Sequence, residues 1–167
     1  MKFLRFSLIA LLAVSVFSCS RDDDNNGSNQ TDTLANYLNG TFNVVEVAYD
    51  GEIDIIIGTI PVSGIDTQPT GDYTFNRGNG TVSYDVDGTL SFTPPLSNDP
   101  VEVPIRVNST NAPLNIVNET TFTIEDETWG LMTYEVDNRD ANGMQATTRL
   151  ASDTAGFDME MQISFRK

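Results

Sequence analysis

The chain has 167 residues, with 24 acidic and 9 basic side chains, a net charge of −15 and no histidine. So acidic a surface repels phosphate backbones and argues against nucleic acid as a partner. Without an imidazole, the Ser-His-Asp and Cys-His arrangements, histidine-ligated zinc and the commonest general base are all excluded.

Met1–Ser18 has the three parts of an export signal. Lys2 and Arg5 give a positive start, Ser7–Phe17 is an apolar core, and the small residues Ser18 and Ser20 flank the chain's single cysteine, Cys19. The apolar run is shorter than the roughly 20 residues a helix needs to span a bilayer. Ser20–Asp32 has no apolar residue and cannot bury enough surface to order itself, so it reads as a disordered acidic tether. Residues 33–167 then form one domain, which contains no cysteine and must be held by its core alone.

Thr33–Leu38 suits one helical turn, with Asp32 or Thr33 as its N-cap. A first strand is expected over Thr41–Tyr49. Its alternation breaks in the middle, which calls for a bulge near Val44–Val45 or burial of both faces. Ile53–Ile65 is the most apolar stretch of the domain, interrupted by Gly58, Pro61 and Gly64. It reads as a strand plus a hydrophobic loop or as two short strands, forming either buried core or a flap over an opening.

From Tyr73 onward period-2 alternation is steady. Asp72–Asn76 and Thr81–Asp87 flank the turn Arg77–Gly80, and Asp87-Gly88 is a hairpin signal leading into Thr89–Thr93. Val101, Val103, Ile105 and Val107 alternate along another strand, whose outward Pro104 marks an edge or a bulge. Further strands are expected at Leu114–Val117, Thr121–Glu125, Leu131–Asp137, Met144–Ala151 and Phe157–Lys167. The last places Phe157, Met159, Met161, Ile163 and Phe165 on one face and polar residues on the other, as a half-buried antiparallel strand does. The fold class is therefore all-β, an antiparallel up-and-down meander closing into a barrel, with a β-sandwich as the alternative.

Three resemblances follow from quoted residues. Val16-Phe17-Ser18-Cys19 resembles the lipobox of bacterial lipoproteins, which implies cleavage before Cys19 and acylation of its thiol. Ser20-Arg21-Asp22-Asp23-Asp24 resembles the acidic signal that carries lipoproteins of Bacteroidota to the outer face of the outer membrane. Within the domain, the helical turn, Gly40-Thr41-Phe42 and the meander ending in a chain-terminal strand resemble the lipocalin-like lipoproteins of that phylum. Phe42 stands where lipocalins usually have Trp. The family's later Arg, which packs on that ring, has Arg149 and Arg166 as candidates. The resemblance implies an eight-to-ten-stranded cup for a small hydrophobic ligand, membrane attachment only through the acyl lipid on Cys19, and a location in the outer membrane facing outside.

Candidate ligand-binding residues are the inward-facing Tyr84, Phe92, Phe122, Tyr134, Phe157, Met159 and Met161, with Trp129 beside Gly130 at a rim; the same side chains would also serve as plain core. Asn138–Gly143 imitates the first half of a calcium loop, but Arg149 stands where the bidentate Glu belongs. Asp85–Gly88 fails in the same way, with Pro94 at that place, so both read as turns and no metal site is expected. Carboxylate-pair hydrolysis is the one acid–base route left, and no pair stands out. The expected function is therefore ligand capture by a monomeric, non-catalytic domain. The alternative is a surface adhesion or glycan- or protein-binding module.

Overall fold

A computed structural model describes residues 33–55, 58–94, 97–152 and 156–167. The chain separates into two units, Met1–Thr31 and Asp32–Lys167, and every described residue lies in the second. The export signal, Cys19 and the tether lie outside the described residues.

Helix α1 (Leu34–Tyr37) precedes nine strands. They are β1 (Gly40–Ile55), β2 (Gly58–Asp66), β3 (Thr70–Asn76), β4 (Thr81–Phe92), β5 (Val101–Ile116), β6 (Thr121–Asp126), β7 (Gly130–Arg139), β8 (Gly143–Ser152) and β9 (Phe157–Arg166). Consecutive strands from β3 to β9 pair antiparallel, β1 pairs with β3, and β9 returns to β1, which closes a ring of eight. Closure shortens the exposed edges that an open sheet would have, leaving one along Val101–Pro113 of β5. The ninth strand, β2, pairs with Val47–Ile55 of β1, on the edge that β3 takes at Gly40–Asn43. β2 and β3 thus follow one another along β1.

The sequence explains the inside and the outside. Inward positions of β9, from Met159 to Phe165, are buried, while Glu160, Gln162 and Arg166 are exposed. In β1 the pairing with β9 shifts between Val44 and Glu46. That bulge lets Phe42, Val44, Val47 and Tyr49 all face inward despite the broken alternation. Outward acids meet the few bases: Arg106 grips Asp85 through two nitrogens at 3.0 and 2.8 Å, and Arg149 pairs with Asp158.

Several expectations are corrected. Asp87-Gly88 is not a hairpin: β4 runs through it, paired with β5 from Thr81 to Phe92. Leu114–Val117 is not a separate strand, since β5 continues to Ile116. The described residues of Ile53–Ile65 divide between the end of β1 and all but the last residue of β2, which bury Ile60 and Val62 and leave Ile65 61% exposed; Ile56 and Ile57 lie outside the described residues. Pro104 does lie on a free edge, because the β5–β6 ladder covers only Leu114–Ile116.

Helix α1 closes one end of the barrel. Thr33 caps it, accepting a hydrogen bond from the Asn36 amide at 3.3 Å. Leu34, Tyr37 and Leu38 are buried. The Leu34 amide donates to Glu119 at 3.0 Å, and Arg139 holds the same carboxylate at 3.3 Å. These bonds hold the Glu119 carboxyl below the usual range, the Leu34 amide contributing most. The cation packed on the first-strand aromatic is neither Arg149 nor Arg166. Lys167 takes that place, its Nζ 5.3 Å from the Phe42 ring centre and 4.4 Å from that of Tyr37.

Candidate functional site

An eight-stranded barrel has an interior just wide enough for side chains or one small ligand. Here side chains fill most of it. Among the described residues, its apolar voids include two of about 30 Å³ each. The first is bounded by Tyr73, Tyr84, Met132, Tyr134, Thr148 and Leu150, among others. The second lies toward β2 and β4, bounded by Tyr49, Asp66, Leu90 and Ile105 among others. Val47, Val86, Val107 and Met161 belong to both walls, so the voids are neighbours along one apolar column.

The first void adjoins the least laddered part of the barrel. β5 has a partner on one side only over Val101–Pro113, and the β7–β8 ladder begins at Tyr134, leaving Gly130–Thr133 out of it. The wall passes there from Val107 on β5 to Met132 on β7 and Leu150 on β8. The turn 127–129 lies between the short strands β6 and β7, at the end opposite α1. Trp129 is half-buried in that turn, its ring 5.2 Å from Phe157 at the start of β9.

A polar cluster lies beside the first void. Tyr73 stacks on Tyr84 at 4.8 Å, and the Tyr73 and Tyr134 hydroxyls are 3.2 Å apart. The Tyr84 hydroxyl donates to Asp126, a carboxylate only 4% exposed. The other Asp126 oxygen accepts from the amides of Thr128 at 2.7 Å and Trp129 at 2.8 Å. Burial pushes this carboxyl up, but the bonds from Tyr84, Trp129, Thr128 and the Ser109 hydroxyl outweigh it and hold the group below the usual range. Burial raises the three tyrosines, Tyr73 to about 12, and the Asp126 charge adds to each. All three are neutral hydroxyls at physiological pH.

The expected ligand residues fall into three groups. Tyr84, Tyr134 and Met161 line the first void. Phe122 and Met159 are fully buried in the core; Phe122 stacks behind Tyr134 at 4.8 Å and touches neither void. Phe92, Trp129 and Phe157 are half-buried at the end away from α1. Sequence reasoning passed over Tyr73, Asp126 and Thr148. Thr148 had a signal: it keeps the inward phase of Met144, Ala146 and Leu150. The calcium-like segment Asn138–Gly143 is a hairpin turn in which Asp140 accepts from the amides of Asn142 at 2.7 Å and Gly143 at 3.0 Å.

On the outer face of β1, β8 and β9 lies an open groove of about 530 Å³ lined by Asp50, Glu52, Arg149, Asp158 and Glu160. None of the large exposed apolar residues among the described residues is aromatic.

No family model and no curated protein matches the chain. Among solved structures it is similar to a deswapped triple mutant of bovine odorant-binding protein, with 12% identity over 78% of this chain and 73% of that chain and a TM-score of 0.36.

Proposed function

We propose that this protein captures a small apolar molecule inside its barrel, and that a lipid on Cys19 holds it at the outer membrane, facing outside. The observation that carries the first part is the apolar column formed by the two neighbouring voids beneath the gap in the β5–β8 wall. Capture rather than catalysis fits the chemistry. The chain has no histidine, and the buried Asp126 has its oxygens engaged by Tyr84, Thr128 and Trp129. The export and anchoring part rests on the sequence of Met1–Asp24.

The voids limit the ligand. A pocket for a drug-sized molecule has a volume of about 300–1,000 Å³. Each void here has room for about two or three waters, so a guest is short or makes room by displacing Met132 and Met161, whose unbranched side chains adapt readily. The experiment is a titration of the full chain with 1-hexanol, followed by methyl and amide NMR shifts. Saturable shifts at Val47, Val86, Val107 and Met161 are expected. Shifts confined to the outer face would overturn interior capture. The outer groove supports a second reading, a surface module for a polar or cationic partner, which predicts binding at Asp50, Glu52 and Glu160 instead.

A further inference from the structure

Thr148 lines the first void, is 3% exposed, and its hydroxyl has no hydrogen-bond partner among the described residues. A hydroxyl left unpaired against apolar walls is unfavourable, and an oxygen atom placed within reach of it offsets that cost. Its cross-strand neighbours are Tyr134 on β7 and Met161 on β9. Among the described residues, the Tyr134 hydroxyl has as partners the Tyr73 hydroxyl at 3.2 Å and the thioether of Met132 at 3.9 Å, a weak acceptor. Two neighbouring hydroxyls on one wall can therefore donate to a guest. We propose that the cavity selects a short uncharged amphiphile, an aliphatic alcohol, aldehyde or ketone, whose oxygen bonds Thr148 while its chain lies along Val47, Val86 and Met161.

This inference rests on interior capture and adds the chemistry of the head group. A carboxylate is disfavoured for two reasons. None of the described residues bounding either void is cationic. Asp126 sits close enough for its charge to hinder ionisation of Tyr73 and Tyr134, and the same field opposes an anionic head. An ammonium head at Thr148 is disfavoured because the Asp126 oxygens already hold their donors, while Asp66 borders only the second void and its oxygens accept from the Gln68 and Thr89 amides. The size follows from the voids, which together suit about four to eight heavy atoms once Met161 moves aside.

The test compares 1-hexanol, hexanoate at neutral pH and hexane on the full chain by calorimetry or NMR titration, with Thr148→Val as an isosteric variant and Thr148→Ser as its rescue. Hexanol should bind at least about tenfold more tightly than hexanoate, since a carboxylate pays desolvation with no partner. Thr148→Val should weaken hexanol about three- to tenfold, leave hexane unchanged, and be rescued by Thr148→Ser. Melting curves of both variants establish that they fold. Hexanoate binding as well as hexanol, or Thr148→Val binding hexanol as the wild type does, would overturn the head-group assignment while leaving interior capture standing. Failure of all three compounds to bind would remove interior capture and this inference with it.

Discussion

The Tyr49 hydroxyl accepts a hydrogen bond from the Ser91 amide at 2.6 Å and donates one to the Ser91 carbonyl at 3.0 Å. Tyr49 belongs to β1 and Ser91 to β4, and the ring reaches across Gly64, its direct partner on β2. A side chain at position 64 would collide with that ring, so glycine is needed there. β2 and β4 are neighbours without a backbone ladder between them. The Tyr49 hydroxyl, together with Asp66 accepting from the Thr89 amide at 2.8 Å, supplies the bonds a ladder would have made.

Removing the Tyr49 hydroxyl should therefore cost more than one ordinary side-chain bond. Tyr49→Phe leaves a partly buried amide and carbonyl without partners, at a cost of about 1–3 kcal/mol. Urea unfolding should show the midpoint falling with an unchanged slope, and the Ser91 amide should exchange faster with solvent. Wild-type stability together with unchanged exchange would mean that the seam is held by packing alone.

Asp126 makes the fold sensitive to acid. Its carboxyl is held below its unfolded value of 3.8, so its contribution is present above that pH and is lost as pH falls through the lower folded value. Glu119 acts in the same direction at α1. Asp126→Asn should cost about 2–4 kcal/mol at neutral pH, because the Tyr84, Thr128, Trp129 and Ser109 donors lose a charged acceptor. It should also flatten the acid limb of the stability curve. An acid limb as steep in the variant as in the wild type would place the sensitivity elsewhere.

The tyrosine cluster sets the alkaline limit. Tyr73, Tyr84 and Tyr134 are raised above 10, Tyr73 to about 12, so the folded state favours their neutral forms. That stabilisation is full below pH 10, the value in the unfolded chain, and is lost as pH rises through about 12. Tyrosinate absorbance should rise late and together with loss of β circular dichroism. Three tyrosines ionising near pH 10 with the barrel intact would contradict their burial.

Much of this was legible in the chain. The alternation of Phe157–Arg166, the break at Val44–Val45 and the outward Pro104 each predicted a local feature that the barrel contains. Asp87-Gly88 misled because a turn dipeptide is a local signal, whereas Val82, Tyr84, Val86 and Leu90 keep one inward phase across it and β5 pairs along the whole length. The cavity was not legible. A void of 30 Å³ depends on how side chains from separate strands fail to fill the space between them, and no single strand's pattern carries that. Asp126 escaped notice because an acid at a strand end is usually solvated; its burial depends on the Tyr84 hydroxyl, 42 residues away.

The last prediction concerns Cys19. Each buried methylene of an acyl chain contributes about 0.8 kcal/mol, so one chain holds a protein marginally and two or three hold it durably. If the thiol carries such chains, full-length protein from envelope preparations should sediment with membranes and show an acyl mass on its N-terminal peptide. Cys19→Ser should move it to the soluble fraction, with hexanol binding unchanged because the barrel walls lie far along the chain from position 19. A serine variant that stays membrane-bound, or a wild type with a free thiol, would show that attachment, if any, comes from another part of the molecule. The acidic outer face makes that route unfavourable, since its charge repels anionic headgroups. Soluble serine variant and acylated wild type together would therefore assign the membrane contact to the lipid alone.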